Sequence, residues 1–370
     1  MIGNRNSTSL EIAMTEIDDI TGFIPQPGPI ALVLGATGGV GGAVARALAG
    51  RGYHVRALHR DAARMAAKQK ERQPALEPVL EWVQGDAMNR DDVIYAAKDA
   101  SVILHGVNPP GYRNWGTLVL PMIDNTIAAA RASGACILMP GTIYNYGPDA
   151  FPLLNEESPQ HPRTVKGEIR VELERRLEQA AGEGVRVILV RAGDFFGPEA
   201  GNNWFAQGLI TPGKPVTQVN LPGKPGVSHS WAYLPDVAET FIRLLERVPD
   251  MPAFARFHMQ GHVDTDGYAM AQAIQRVSGS DSVRFKRFAW WMVPLLSPIL
   301  PVFRELLEMR YLWREPIALD NRRLVEVLGE EPRTRLDVAV ATTLKSLKCL
   351  QTSAVHPDGS RSMASETAPQ

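Results

Sequence analysis

The chain has 370 residues, a formal net charge of −1, 45% hydrophobic and 21% charged residues. That balance suits a soluble enzyme and leaves no electrostatic case for binding nucleic acid or an anionic membrane. Its length allows one large α/β domain or two smaller ones. Two cysteines, Cys136 and Cys349, are too few for a disulfide framework, and neither has metal-ligand neighbours. No metal is expected, and a reducing cytoplasm fits best.

Residues 1–28 lack a continuous apolar core and carry Glu11, Glu16, Asp18 and Asp19, so they read as a flexible extension rather than a secretory signal. The Ser/Ala/Pro-rich residues 351–370 read as a flexible tail. The folded unit is therefore expected over 29–350.

Ile30 to Leu34 is a short apolar run that predicts a buried parallel strand. It stops at Gly35 and gives way to an Ala-rich helical segment from Gly41, with Val44, Ala47 and Leu48 on one face. Gly35, Gly38 and Gly41 stand three residues apart between them. The first permits a tight turn, the second lets backbone approach a pyrophosphate, and the third lets helix pack on strand. The amide end of that helix would hold the phosphates. Such a triad is weak by itself, but flanked by strand and helix it points to a nucleotide site.

Further strands are expected at Tyr53–His59, Trp82–Asp86, Ser101–Val107, Ala135–Met139 and Val185–Val190, and long helices at Trp115–Ser133 and Thr164–Ala181. This alternation predicts an α/β fold with a doubly wound parallel sheet, right-handed crossovers and helices on both faces. From about Gly197 the rhythm breaks into Gly/Pro-rich loops. The remainder, about 197–350, predicts a smaller and mostly helical lobe over the carboxyl ends of the strands, where ligands bind in open α/β sheets. The most apolar later stretch, Phe288–Phe303, contains three prolines and is shorter than the roughly 20 residues a membrane span needs. Core packing is preferred there over membrane contact or a substrate lid.

Arg60 lies just past the second strand, where an acidic residue would bind the adenosine ribose of NAD. A guanidinium there favours the 2′-phosphate of NADP. Arg56 is the weaker contributor, and Asp61 would cap either a ribose or the next helix. Asp86 would accept from the adenine amino group, with Ala87 adding backbone, or would cap the helix that follows.

Five motifs fall in a telling order: Gly35-Ala-Thr-Gly-Gly-Val-Gly41, Gly85-Asp86, Thr142-Ile-Tyr-Asn-Tyr-Gly147, Arg191-Ala-Gly-Asp-Phe-Phe-Gly-Pro198 and Tyr233-Leu-Pro-Asp-Val-Ala238. Together they resemble the short-chain dehydrogenase/reductase superfamily, in its atypical and extended, epimerase/dehydratase-like branch. The resemblance implies a Rossmann-type sheet and a bound NAD(P), NADP being preferred over NAD. It implies cofactor contacts from Gly35, Thr37, Gly38, Gly39, Val40 and Gly41 at the turn, and from Asp86, Ala87, Val107 and Asn108 at later strand ends. Pro140, Gly141, Lys166, Ala192, Gly193 and Phe195 complete the set.

The catalytic motif departs from the family. Thr142 falls on the Ser/Thr that orients the reacting carbonyl or hydroxyl. Where Tyr-x-x-x-Lys is due, the chain has Lys166-x-x-x-Arg170, followed by Glu174. Placing Lys166 on the family lysine instead would put Pro162 on the tyrosine, which can move no proton. Either Lys166 serves as acid/base, its pKa depressed by burial, Arg170 and the nicotinamide charge, or Tyr144, Tyr146 or Asp194 supplies the proton, or the protein binds NADP without turnover.

His229 is the one histidine near the expected pocket, as a structural hydrogen-bonding group or a functional one. The loop with Tyr112, Arg113, Asn114 and Trp115, and the segments Asn202–Phe205 and Ser228–Tyr233, belong to the same region. Trp290, Trp291 and residues 304–314 predict helices closing one side of the pocket. The expected function is an NADP-dependent oxidoreductase acting on a carbonyl or activated double bond of a small molecule. A nucleotide-sugar epimerase/dehydratase and an NADP-binding redox regulator are the alternatives, and a homodimer is expected by analogy.

Overall fold

The computed structural model describes residues 28–72, 79–109, 114–201, 203–298 and 301–350. The two expected flexible ends (apart from Gly28), Tyr112, Arg113 and Asn202 lie outside the described residues.

The first half alternates as its apolar runs require. It runs β1 (Ile30–Leu34), α1 (Gly39–Gly50), β2 (His54–His59), α2 (Ala62–Arg72), β3 (Glu81–Gln84), α3 (Arg90–Ala96) and β4 (Ala100–His105). It continues with α4 (Trp115–Ser133), β5 (Cys136–Gly141), β6 (Leu153–Leu154), α5 (Val165–Gly182) and β7 (Val187–Arg191). The second half is β8 (Asp194–Phe196), β9 (Gln218–Leu221), β10 (His229–Tyr233), α6 (Leu234–Leu245), β11 (Phe254–His258), β12 (His262–Asp264) and α7 (Ala269–Ser278). It ends with β13 (Arg284–Arg287), α8 (Met292–Leu296), α9 (Pro301–Met309), β14 (Ala318–Leu319), α10 (Arg322–Leu328) and α11 (Leu336–Ser346).

Seven strands form one sheet in the order β11-β7-β5-β4-β1-β2-β3, every neighbouring pair parallel. The strands are apolar at consecutive positions because both faces are covered. In β1, Ala31 and Val33 enter one core with Val44, Leu48, Val237 and Phe241 of α1 and α6. Leu32 and Leu34 enter the other, with Val119 and Ile123 of α4 and Leu173 and Leu177 of α5. Burying each such side chain contributes about 1.5–3 kcal/mol. This is the doubly wound Rossmann-type fold expected from the sequence.

Short polar side chains start two of the helices. Asn89 Oδ1 accepts from the amides of Asp91 and Asp92 at 3.0 and 3.4 Å and caps α3. Asp86, the residue expected as a possible cap there, instead accepts from the Met88 amide at 3.0 Å in its own turn. Thr164 Oγ1 accepts from the Gly167 amide at 3.0 Å and caps α5.

The region after residue 197 differs from the mostly helical lobe expected. It contributes β11 to the main sheet, adds β10 and β12 to β8 in a three-stranded sheet, pairs β9 with β13, and lays β14 against β6. These strands are two to five residues long and lie between Gly- and Pro-containing loops, too short for a pattern to betray them. The described part of that apolar stretch, residues 288–298, does not pack as a core segment either. Val293 is buried, but Trp291 and Leu295 are 71% and 67% exposed. A helix as short as α8 turns only one of its side chains fully inward.

Candidate active site

The glycine turn sits where β1 lies between β2 and β4, the point at which the chain's crossovers change direction. Gly35 has φ +89°, and a Cβ there would lie 2.5 Å from the Gly106 oxygen. A Cβ on Gly41 would lie 2.0 Å from the Gly35 oxygen, so only glycine lets α1 close on the turn. Gly38 opens α1 with no side-chain cap, and no acidic residue stands in the first turn. The free amides of that turn, around Gly39, Val40 and Gly41, and the positive end of the helix are left for an anion. Thr37 is exposed on the same turn. A dinucleotide's diphosphate fits this cradle.

At the end of β2, Arg60 is exposed and its carbonyl accepts from Gln84 Nε2 at 2.7 Å. Asp61 accepts from the Arg64 amide at 3.1 Å, so it caps α2 rather than standing free for a ribose. At the end of β3, the Asp86 amide donates to Asp92 Oδ2 at 2.9 Å, and the Ala87 carbonyl accepts from Asn125 Nδ2 at 2.9 Å.

Three strands end side by side, with Gly141, Arg191 and His258 in register on β5, β7 and β11. Gly141 follows Pro140, and a Cβ on it would lie 2.6 Å from Arg191 Cγ, so the glycine makes room for the arginine. A buried polar network fans out from there. Thr142 Oγ1 donates to Asn145 Oδ1 at 3.2 Å, and Asn145 Nδ2 donates to Glu174 Oε1 at 3.0 Å. Glu174 is ion-paired to Arg191, whose guanidinium lies 5.1 Å above the Tyr146 ring. Burial pushes the Glu174 carboxyl above its usual range against the opposing pull of Arg191.

His258 donates from Nδ1 to the Leu154 carbonyl at 3.1 Å and accepts from Tyr146 Oη, also at 3.1 Å. Burial and the Arg191 charge pull this imidazole down to about 3, so it stays neutral. Burial pushes the Tyr146 phenol up to about 12. With no exposure and its hydroxyl committed to His258, Tyr146 is not a proton source for substrate. That removes one of the candidates raised by the sequence. Tyr144 is partly buried on the same loop.

Helix α5 brings Lys166 and Arg170 to different neighbours. A Cβ on Gly167 would lie 2.3 Å from the Tyr144 carbonyl, so this glycine lets α5 close on the loop after β5. Lys166 is 4% exposed, and its Nζ donates to Glu308 Oε2 on α9 at 2.8 Å. The pair fixes where Nζ points. Arg170 reaches the end of β4, where its Nη2 donates to Asn108 Oδ1 at 3.4 Å, and its guanidinium lies 5.0 Å over Trp115. Val107, beside Asn108, packs against the second core.

Asp194 is engaged elsewhere. His229 Nε2 meets Asp194 Oδ2 at 2.7 Å, and the imidazole stacks on Trp313 with ring centres 3.9 Å apart. A Cβ on Gly193 would lie 2.0 Å from the Ser230 carbonyl, so the close approach it permits is to β10. Ala192 is buried in the first core, with Phe195 packed against it. Asn145, His258 and Glu308 escaped the sequence reading. The one signal available was Arg191, a charge closing an otherwise apolar strand.

With this geometry in place, residues 31–257 match the family model described as "NAD dependent epimerase/dehydratase family". The chain belongs to that family. A curated relative, "3-diazoavenalumate denitrifying reductase" of Streptomyces sp, is 30% identical over 190 residues, 46% of this chain and 57% of that protein. "Uncharacterized protein y4nL" of Sinorhizobium fredii (strain NBRC 101917 / NGR234) is 27% identical over 205 residues, 50% of this chain and 54% of that protein. The chain thus spans about half the length of the curated relatives it matches. The solved UDP-glucuronic acid 4-epimerase from Bacillus cereus, in complex with NAD, superposes with a TM-score of 0.64 at 15% identity, covering 86% of this chain and 98% of that one. At that identity the likeness concerns the fold.

No group of three or more His, Cys, Asp or Glu among the described residues is placed to hold a metal. No helix among them is long and apolar enough to cross a membrane.

Proposed function

We propose that this family member is an NADP-dependent oxidoreductase that reduces a carbonyl or activated double bond of a small molecule. The observation that carries the reading is the uncapped, acid-free first turn of α1 at the switch point, closed by Gly35 and Gly41, where an added Cβ would collide with backbone. Once bound there, the dinucleotide supplies the hydride. Arg60 would hold its 2′-phosphate, since Asp61 is committed to α2. Asn108, held by Arg170, would position the ribose at the end of β4.

Thr142 would orient the substrate oxygen by turning toward it the hydroxyl proton that it otherwise donates to Asn145, which the Glu174–Arg191 pair holds in place. Lys166 would donate the proton in place of the family's tyrosine. As an ammonium set by Glu308, it suits the direction of reduction, in which the acid gives a proton to the developing alkoxide.

The test titrates the full chain with NADPH and NADH, then follows loss of nicotinamide absorbance over a panel of carbonyl compounds. A lost charge-assisted contact to phosphate is worth about tenfold in affinity, so NADPH should bind about tenfold tighter than NADH, and Arg60→Ala should erase the difference. Equal binding by the wild-type chain would overturn the NADP preference.

A second reading, a nucleotide-sugar epimerase or dehydratase, is favoured by the family match. It predicts conversion of UDP-sugars with no net consumption of NADPH. Tight NADPH binding with turnover of neither panel would instead indicate a regulator.

A further inference from the structure

The segment after β13 turns an apolar face to solvent while staying fixed to the lobe. Phe285 and Trp290 pack against the lobe's core around Phe205, Val219 and Trp313. The Phe288 amide donates to the Leu221 carbonyl at 2.9 Å, and Trp290 Nε1 donates to the Pro222 carbonyl at 2.7 Å. Val293 of α8 is buried beneath them. With these anchors in place, Trp291, Met292 and Leu295 are all exposed. At helical spacing the three fall within an arc of about 100°, with Val293 roughly opposite. Pro294 and Pro298 are exposed on the same segment. Single apolar side chains on a surface are ordinary, but large ones gathered on one face mark an interaction site.

Positive charge runs up to this face. Arg284, Lys286 and Arg287 of β13 are exposed, and residues 282–304 contain no acidic residue. Arg287 and Trp290 line one recess together with Lys224, Arg310 and Arg314, and no carboxylate lines it. Burial and the neighbouring Arg314 pull the Arg310 guanidinium below its usual range. Arg310 Nε is buried there with no hydrogen-bond partner. The net charge of −1 averages over the whole chain and conceals this cationic end.

That combination selects the occupant. Trp and Leu beside Lys and Arg match the boundary of an anionic bilayer, where apolar side chains enter, the indole lies at headgroup level and cations meet phosphates. A second copy docked face to face would set these cations against their own kind, with no carboxylate in the segment to offset them. No helix among the described residues is long and apolar enough to cross a membrane, so the contact is peripheral.

We propose that this end of the lobe is a peripheral membrane-binding surface for anionic phospholipid, with Trp291, Met292 and Leu295 entering the interface and Arg284, Lys286 and Arg287 meeting the headgroups. It does not depend on which reaction the protein catalyses.

Co-sedimentation of the full chain with vesicles of phosphatidylcholine, alone or mixed with phosphatidylglycerol, tests it. Each cation near an anionic surface is worth roughly fivefold in partitioning, so the mixed vesicles should bind the chain at least about tenfold tighter than the neutral ones. Added salt should shrink that difference. Trp291→Ser with Leu295→Ser should cut binding to mixed vesicles about tenfold or more, and so should Arg284→Gln with Lys286→Gln and Arg287→Gln, with thermal melts unchanged. Brominated acyl chains should quench the tryptophan fluorescence of the wild-type chain in mixed vesicles, a reading that stands even if a variant misfolds. No binding to mixed vesicles, equal binding to both compositions, or full binding by either variant would each overturn the proposal. A wild-type dimer that Trp291→Ser with Leu295→Ser dissolves in sedimentation equilibrium would give this face to a second copy and overturn it as well.

Discussion

Lys166 on α5 and Glu308 on α9 form an ion pair, Nζ to Oε2 at 2.8 Å, that ties the Rossmann unit to the lobe covering it. The pair holds the buried Lys166 ammonium, proposed above as the proton donor, from a helix that lies in the region after residue 197. Lys166→Met should therefore lower turnover by about 10²-fold or more, the usual worth of a positioned acid, while NADPH affinity changes little. Glu308→Gln keeps the shape and removes the charge, so its defect should be smaller, roughly tenfold or less. Steady-state kinetics with NADPH titrations check both, and full activity in Lys166→Met would remove this residue from the mechanism.

The Glu174–Arg191 pair is fully enclosed. Removing one partner strands the other charge in the core, at a cost of roughly 3–5 kcal/mol. Arg191→Met and Glu174→Gln should each lower the urea midpoint strongly, and the double variant should lose less than the sum. Additive losses would show that the two side chains act independently.

Two buried histidines make stability depend on pH. His105 and His258 are both held near 3 in the folded chain, by burial and by the Arg170 and Arg191 charges respectively, against 6.5 for a free imidazole. The unfolded chain therefore takes up these protons first. Their contribution is complete above about pH 6.5 and drains away as pH falls toward 3, at about 1.4 kcal/mol per pH unit for each. Thermal melts should show the midpoint falling steadily from about pH 6.5 to pH 4. His258→Asn should flatten part of that slope, and an unchanged slope would place the proton uptake elsewhere.

The glycines of α1 and α4 should respond in opposite ways to the same methyl group. Gly41→Ala drives a Cβ into the Gly35 carbonyl, so it should destabilise the fold and abolish dinucleotide binding. Gly116 lies in the first turn of α4 with nothing within 4 Å of an added Cβ, so Gly116→Ala should stabilise by about 0.5–1 kcal/mol. Calorimetry with NADPH titration checks the contrast, and retained binding in Gly41→Ala would move the phosphate site away from this turn.

Much of the Rossmann unit was legible because its signals are local. Consecutive apolar residues in β1, β5 and β7 announce strands covered on both faces, and the spacing of Gly35, Gly38 and Gly41 is dictated by contacts within one turn. The resemblance set Thr142 on the family's Ser/Thr position and Lys166 and Arg170 on its Tyr and Lys positions, but it named none of their partners. The strands of the lobe were missed because runs of two to five residues carry no period. The exposed Trp291 and Leu295 were misjudged because apolar composition does not say which way a short helix faces.

By itself, then, the sequence determined the doubly wound sheet and the glycine turn between β1 and α1. Each follows from backbone sterics or from residue identity at a fixed spacing. Tertiary structure alone decided which partners the charged side chains take. Lys166 meets Glu308 across 142 residues, Asp194 meets His229 across 35, and Glu174 meets Arg191 across 17. A buried charge must find a countercharge wherever the fold brings one near, and that choice is made by the packing of distant elements rather than by neighbours in the chain.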